Sequence, residues 1–309
     1  MLGCGLGIYA RSWEVEVWRL VVPCVVGCLL YLGGCLLNDW WDRKWDSEKK
    51  PNRPLPSGRV SGGSVLVSSA ICLLGGMAVS AYLSSSAFFV AVGIAVLISV
   101  YTAIHKKTAW GVLPMGLCRG FLYLLGFLSQ VRTSDESDEL GVNQQSVLVD
   151  EMIQTMDAVS VMVQATQVAP LVIGMLCFVA GLSLFARAET ECIVPRANVV
   201  CGIGLMALVI FTHSVNWMRH LPVWNLISLI PFVGVLVWGI LRTRKDVGER
   251  VSWLLATIAL VDFVVALPLG IALWQEGFVW GVKEGLVFPT VSIFAFGLAL
   301  VLQRVAPAT

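Results

Sequence analysis

Four oxygen-bearing side chains between two apolar stretches have the spacing of a cation site. Asn38, Asp39, Asp42 and Asp46 fall at i, i+1, i+4 and i+8, and residues three and four apart on a helix are neighbours on one face. Three carboxylates held close together repel each other, and partial burial at the edge of a membrane adds to the cost. A divalent cation relieves that repulsion. Carboxylate oxygens completed by water and phosphate oxygens are typical of magnesium, so the pattern predicts a Mg²⁺-diphosphate site with Asp39, Asp42 and Asp46 as the catalytic metal ligands.

Basic residues around this acidic group supply the charge that a diphosphate needs. Arg53 and Arg59 follow in the same polar segment, which ends near residue 62. Both arginines are candidate phosphate ligands. Since cytoplasmic loops of membrane proteins are enriched in Lys and Arg in any case, topology alone is an equally good explanation for them.

The composition requires a membrane protein with many spans. Hydrophobic residues make up 57% of the 309 residues and charged residues only 13%. Stretches of about 20 apolar residues occur near 17–38, 63–83, 86–105, 110–130, 168–186, 197–217, 223–241, 251–273 and 284–304. The predicted fold class is therefore all-α, a polytopic transmembrane bundle of about nine helices. Nothing in the sequence resembles a nucleic-acid-binding surface.

The distribution of basic residues orients the chain. With the 38–62 loop in the cytoplasm, fifteen Lys and Arg lie in inside segments and four in outside segments, while Arg19 and Arg119 lie in spans. This asymmetry follows the positive-inside rule. It places every polar segment with a recognisable motif on one side of the membrane, which we interpret as the cytoplasmic face of a bacterial inner membrane.

Two segments depart from the regular alternation of spans and short loops. Residues 1–10 are apolar but too short to cross a bilayer, and they suggest either the remnant of a truncated first helix or a short re-entrant segment. Residues 131–167 form an acidic insert on the extracytoplasmic side. The second half of this insert has the apolar spacing of a surface helix, and a mobile loop is the alternative.

The polar segment resembles the first aspartate motif of the UbiA superfamily of intramembrane prenyltransferases. The similarity consists of N-D-W-W-D-R-K-W-D at 38–46 followed by N-R-P-L-P-S-G-R-V-S at 52–61, between two spans. Tyr101 to Lys107 and Gly116 to Gly120 are similar to further family elements. The resemblance implies one UbiA-like domain over 1–309, with a central cavity that cytoplasmic loops cap over a prenyl diphosphate.

One expected motif is altered. Family members that catalyse prenyl transfer carry a second D-x-x-x-D motif in the cytoplasmic loop after the sixth helix, and this chain has FARAETECIVPR at 185–196. Glu189 and Glu191 are the only acids there and are weak candidates for metal ligands, because residues two apart on a helix do not share a face. The change resembles the divergent EboC-like branch of the superfamily.

The remaining candidates lie at the cytoplasmic ends of spans. Arg119 is placed either to extend its charge to the interface or to face a phosphate in the cavity, and we favour the cavity. Tyr101 and Lys107 are candidate substrate ligands, with an interfacial anchoring role as the alternative. Asn38 completes the predicted binding set.

The sequence predicts Mg²⁺-dependent transfer of a prenyl group within the membrane. The donor is a polyprenyl diphosphate, and the acceptor is small and aromatic or quinone-like. Membrane lipid surrounds the site. The alternative is a UbiA-like module that binds or handles an isoprenoid or other lipophilic precursor without turnover, because the second aspartate motif is altered.

Overall fold

The structure is a computed structural model that describes residues 4, 6, 17–130, 168–184, 196–215, 217–242, 253–275 and 287–305. Most of the described residues are helical, and none of them lies in a strand. They form two compact units that divide between Thr166 and Gln167, apart from a few N-terminal residues. Most of the 1–10 segment, the whole 131–167 insert and both Glu189 and Glu191 lie outside the described residues.

The first unit contains four long helices. They are α1 (Val17–Lys49), α2 (Gly62–Leu83), α3 (Ser85–Ile104) and α4 (Val112–Leu128), with a short 3₁₀ turn at Ala109–Gly111 before α4. The second unit contains α5 (Val168–Leu184), and then α6 (Arg196–Ser214), α7 (Pro222–Arg242), α8 (Ile258–Gln275) and α9 (Val287–Val305). Each of the nine predicted spans corresponds to one of these helices, which confirms the fold class.

Five stretches are long and apolar enough to cross a membrane by length and composition. These are Trp18–Lys49, Gly62–Leu83, Ser85–Ile104, Pro222–Gly239 and Trp253–Gln275, and four other apolar helices are shorter. Large apolar side chains on the outside of both units are exposed, with Tyr82 at 81% and Phe294 at 72%. Exposed apolar surface on this scale marks contact with lipid or with another protein, and together with the long apolar helices it indicates a helical membrane protein.

Helix α1 extends well past its apolar part. The predicted span ends at residue 38, but the helix continues to Lys49. No Gly or Pro occurs between Asn38 and Lys50, and charged residues do not by themselves stop a helix. Pro51 does, because the residue before a proline is disfavoured in the α conformation. The acidic residues are therefore carried on a rigid helix, while the loop proper is limited to residues 50–61.

Small residues allow α1 and α2 to approach closely. A Cβ added at Gly33 would lie 2.8 Å from Leu73 Cγ, and one at Gly76 would lie 3.1 Å from Leu30 Cγ. At this contact Ser69 Oγ donates a hydrogen bond to the Gly33 carbonyl at 2.8 Å. Small residues and hydroxyl donors are the usual means of packing helices in lipid. The contact fixes the position from which α1 presents its polar end.

The second unit is built around α8. Most of its residues are buried, and 72% of the most apolar window of Trp253–Gln275 is buried. Ser228 Oγ on α7 donates to the Val264 carbonyl of α8 at 2.9 Å. The α5–α6 contact is close at Gly181, where an added Cβ would lie 2.6 Å from the Gly202 carbonyl oxygen. Neutral hydroxyls and glycines therefore hold this unit together.

Candidate functional site

The three aspartates of α1 occupy different environments. Asp42 and Asp46 are buried, with 6% and 2% of their surface exposed, whereas Asp39 is exposed. Within the residues that the structure describes, no group of three His, Cys, Asp or Glu side chains is placed to hold a metal ion.

Asp42 is surrounded by donors. Its Oδ2 lies 2.8 Å from Lys106 Nζ and 3.2 Å from His105 Nε2. Asn38 Nδ2, one turn earlier on α1, is 3.4 Å from the same oxygen. Lys106 is itself held in place, since its Nζ lies 3.8 Å from the centre of the Trp45 ring. Such a cation–π contact is favourable and directional, so the lysine is fixed between the carboxylate and the indole.

His105 is anchored to the end of α3. Its Nδ1 lies 3.2 Å from the Tyr101 carbonyl oxygen and 3.1 Å from that of Thr102. The imidazole stacks on the Tyr101 ring at 4.9 Å between centroids. The following segment returns close to it, because a Cβ added at Gly111 would lie only 2.8 Å from His105 Cα. A glycine at 111 is therefore needed for this geometry.

Asp46 is paired within the loop. Arg53 Nη1 lies 2.9 Å from Asp46 Oδ2, and the aspartate side chain is 4% exposed. Its second oxygen, Oδ1, is buried and has no hydrogen-bond partner. Gly58 provides the loop's one positive φ among the described residues, at +75°, where a side chain would be strained. The Arg53 N–H donates to the Lys50 carbonyl oxygen at 3.1 Å, a turn that brings Arg53 back towards α1.

A cavity of about 290 Å³ lies between α1, α3 and α4. Its α1 wall follows one helical stripe of Gly27, Leu30, Tyr31, Gly34, Cys35, Asn38 and Asp39. The other lining residues are Ile94, Ile98 and Tyr101 on α3 and Met115, Cys118, Arg119 and Leu122 on α4. Most of the lining is apolar, and the charged and amide groups come from the C-terminal part of α1 and from α4.

Arg119 and Asp39 give the cavity opposite charges. Arg119 is half-buried in the lining and, within the described part of the chain, forms no ion pair. Tyr101 is close enough to interact electrostatically with both Arg119 and Asp42. Asn38 Oδ1, beside Asp39, is buried without a hydrogen-bond partner. The cavity therefore presents oxygen acceptors and a cation to the polar end of an otherwise apolar ligand.

The structure brings together part of the predicted set. Asn38, Asp39, Tyr101 and Arg119 line one cavity. Arg53 lies instead on Asp46. Arg59 and Lys107 are exposed and outside the lining, so nothing in their position favours the ligand role over the topological one.

Sequence analysis overlooked four residues. His105 and Lys106 were passed over in favour of Lys107, although they make the contacts to Asp42. Tyr31 and Cys35 line the cavity. They lie eight and four residues before Asp39, and this spacing could have identified them, because such residues share a helix face.

Comparison with known proteins supports the interpretation of these features. Residues 1–138 match the model of the UbiA prenyltransferase family. The digeranylgeranylglyceryl phosphate synthase of Sulfurisphaera tokodaii is 31% identical over 100 residues, which cover 32% of this chain and 36% of the relative. The chloroplastic chlorophyll synthase of Avena sativa is 36% identical over 105 residues, 29% of this chain and 26% of the relative. The chain thus matches about a third of the length of these relatives or less.

Solved structures extend the likeness to nearly the whole chain. A structure described as giving insights into digeranylgeranylglyceryl phosphate synthase in membranes superposes with a TM-score of 0.58 at 18% identity, covering 88% of this chain and 91% of that one. A UbiA homologue from Aeropyrum pernix K1 gives 0.54 at 14% identity, covering 98% and 96%. At these identities the likeness concerns the fold. Family model, relatives and fold agree: residues 1–138 are similar to the UbiA prenyltransferase family, and most of the chain shares the fold of a UbiA homologue.

Proposed function

We propose that this chain is a prenyltransferase that uses Mg²⁺ and transfers a prenyl group from a polyprenyl diphosphate to a small aromatic or quinone-like acceptor. The observation that carries the proposal is the cavity. Its apolar wall suits an isoprenoid tail, while Arg119 and Asp39 at its polar part suit a metal-bound diphosphate. The relatives named above, a digeranylgeranylglyceryl phosphate synthase and a chlorophyll synthase, support this class of reaction.

The residues present fit a magnesium ion. Asp39 offers an exposed carboxylate, and Asn38 Oδ1 and Asp46 Oδ1 are buried oxygens without hydrogen-bond partners. Magnesium commonly takes one or two carboxylates and fills its shell with water and phosphate oxygens. When bound, it would act as a Lewis acid that stabilises the departing diphosphate. Asp42 and Asp46 belong to the proposed acidic set as well, with Glu189 and Glu191 as weaker members.

The chain's own side chains would supply binding and shielding. Arg119 can donate two parallel hydrogen bonds to phosphate oxygens, and Tyr101 and Asn38 can donate one or more each. The bond between the prenyl carbon and the diphosphate oxygen breaks with its electron pair leaving on the diphosphate. Apolar walls such as Ile94 and Ile98 exclude water from the allylic cation, which then bonds to the acceptor as the acceptor loses a proton.

The location follows from the same argument. We propose that the motif-bearing ends of α1 and α3 face the cytoplasm of a bacterial inner membrane, because basic residues concentrate on that side. Trp41 and Trp45 are 50% and 44% exposed near this end of α1. Tryptophan is enriched at membrane interfaces, which supports placing residues 41–45 at the lipid headgroups.

The proposal is tested with purified chain in detergent or nanodiscs. Geranyl, farnesyl and geranylgeranyl diphosphate are offered with Mg²⁺ and a panel of aromatic and quinone-like acceptors, and diphosphate release and prenylated product are measured. We expect release that depends on both Mg²⁺ and an acceptor. Tight, Mg²⁺-dependent donor binding without product across the panel would favour the alternative, a module that binds isoprenoids without turnover. Absence of both binding and product would contradict either function.

One observation favours that alternative as the second candidate. Asp42 and Asp46 already have cationic partners in Lys106 and Arg53. If those pairs persist when the donor binds, fewer carboxylates remain for metal-assisted departure of the diphosphate. Losing one preorganised electrostatic element commonly costs about a hundredfold or more in rate, which would leave binding intact while slowing turnover.

A further inference from the structure

Two of the three motif carboxylates have cationic partners from the chain itself. We infer that Lys106 and Arg53 are built-in counter-ions that take the place of metal at Asp42 and Asp46, so that the aspartate motif of α1 binds one divalent cation, at Asp39. This inference rests on the proposed function, since it concerns how the same diphosphate site is neutralised.

In both pairs the carboxylate is buried and the cation is partly exposed, with the Lys106 side chain at 31% and the Arg53 side chain at 38%. The side chains of Asp42 and Asp46 are 7% and 4% exposed. A buried carboxylate is unstable unless it is paired and hydrogen-bonded. Lys106 and Arg53 meet that need at 2.8 Å and 2.9 Å. The two carboxylates are therefore neutralised before any metal arrives.

Lys106 is held by more than its charge. Its ammonium rests over the Trp45 ring, and its neighbour His105 contacts the same Asp42 oxygen and is fixed on Tyr101. Gly111 lies against the His105 backbone. A lysine on a flexible loop would be easily displaced by a divalent ion. This one is positioned by an aromatic face and a tightly packed turn.

The lysine and a metal ion compete for one oxygen. A magnesium ion lies about 2.0–2.1 Å from a carboxylate oxygen, and the Lys106 ammonium already lies 2.8 Å from Asp42 Oδ2. Two cations on one oxygen repel each other, and the repulsion is strongest where water is excluded. Binding of metal at Asp42 would require Lys106 to leave both the carboxylate and the indole.

Asp39 differs from the other two aspartates in each respect. It is exposed, it lines the cavity, and within the described ranges it forms no ion pair, although the Arg53 charge acts on it from beyond ion-pair distance. Its nearest polar neighbour in the lining, Asn38, has a buried oxygen without a partner. Asp39 is therefore the one aspartate of the motif that lines the ligand cavity.

The inference is tested by counting bound Mn²⁺, which replaces Mg²⁺ and loses its free-ion electron paramagnetic resonance signal on binding. The full-length chain is titrated with and without geranylgeranyl thiodiphosphate as a non-reacting donor. We expect one Mn²⁺ per chain. Lys106→Met, which removes the charge but keeps an unbranched side chain, should bind a second. The matched control Lys107→Met removes a charge one residue later and should still bind one.

Several results would overturn the inference. Two Mn²⁺ in the unmodified chain, of which one is lost in Asp42→Asn or Asp46→Asn, would show that metal displaces Lys106 or Arg53, while leaving the proposed function intact. A second ion in both lysine variants would trace the effect to overall charge.

Because Lys106→Met leaves Asp42 unpaired and can reduce folding, Asp39→Asn provides an independent measurement. It should abolish the single site, and full Mn²⁺ binding in that variant would also contradict the inference. Absence of any Mn²⁺ or donor binding in the unmodified chain would contradict both the inference and the proposed function.

Discussion

The two units of the molecule differ in their buried polar groups. In the first unit, besides neutral groups such as Ser69, two carboxylates are buried at the end of α1, where Asp42 pairs with Lys106 and Asp46 with Arg53. In the second unit, the buried polar residues that the structure describes are neutral or weakly basic. They are His213, Ser214, Asn225, Ser228, Thr257 and Ser292.

This difference separates polar groups that hold helices together from polar groups that are available for chemistry. Ser228 on α7 donates to a backbone carbonyl of α8, and such hydrogen bonds link helices in lipid. Buried charges in a membrane protein are costly and usually functional. The first unit is therefore the part of the chain that merits mutational study for activity, and the second unit supplies the controls for structure.

The largest effect is expected at Asp39, the exposed carboxylate of the cavity. Asp39→Asn keeps the shape but removes the charge that would hold Mg²⁺. Diphosphate release should fall about a hundredfold or more, as measured in the assay described above. The matched control is Glu48→Gln on the same helix, where the acid is exposed and lies outside the cavity lining. Equal activity of the two variants would contradict the role given to Asp39.

The second-largest effect is expected at Arg119, on the affinity for a prenyl diphosphate. Hydrogen bonds to charged groups contribute about 1.5–3 kcal/mol each, so Arg119→Gln should weaken binding of a prenyl diphosphate by roughly 10- to 100-fold. Calorimetric titration measures this change. Arg119→Lys keeps the charge and loses the bidentate geometry, and should bind with an intermediate affinity. Unchanged affinity in Arg119→Gln would place the diphosphate elsewhere.

A smaller effect, on stability, is expected at Gly111. In Gly111→Ala the new methyl would lie 2.8 Å from His105 Cα, and a backbone atom cannot move aside easily. Overpacking of this kind costs about 1–3 kcal/mol, which should lower the midpoint of thermal unfolding in detergent. Gly75→Ala is the control, because an added Cβ there has no neighbour within 4 Å. A comparable loss in both variants would show that the turn at Gly111 is not specially constrained.

The smallest effect is expected in the second unit. Ser228→Ala removes the hydrogen bond to the Val264 carbonyl, and such bonds average about 0.6 kcal/mol within membranes. Stability should fall slightly and donor affinity should not change. Ser69→Ala, which removes the similar bond to Gly33 in the first unit, should behave alike. A large loss of affinity in Ser228→Ala would break the distinction between the two units.

The helices were predictable because their signal is local. A stretch of about 20 apolar residues is sufficient to indicate a span, and all nine predicted stretches became helices. The end of α1 was predicted less well. Hydropathy drops at Asn38, but a helix ends where the backbone is restricted. The first such residue after Asn38 is Pro51. The helix therefore runs to Lys49.

The site was predictable in its residue types but not in its pairing. The acids and bases near Asp39 were identified from their spacing. The contact between Asp42 and Lys106 joins residues 64 positions apart in sequence, and it depends on how α1 and α3 pack. No local pattern shows which of two adjacent lysines contacts Asp42. For that reason the sequence-based prediction named Lys107, and not Lys106, as a site residue.

Two glycines in the cavity wall, Gly27 and Gly34, are positions where an added side chain would change the volume of the cavity. A methyl group added at Gly27 would rest 3.6 Å from Leu122, an ordinary contact, whereas one at Gly34 would press on Ile98 at 3.2 Å. Alanine at residue 27 would thus shorten the room for a hydrocarbon tail with little disturbance of the bundle. Under the proposed function, a single substitution at Gly27 would thus change the preferred number of isoprene units without altering the charged residues of the site.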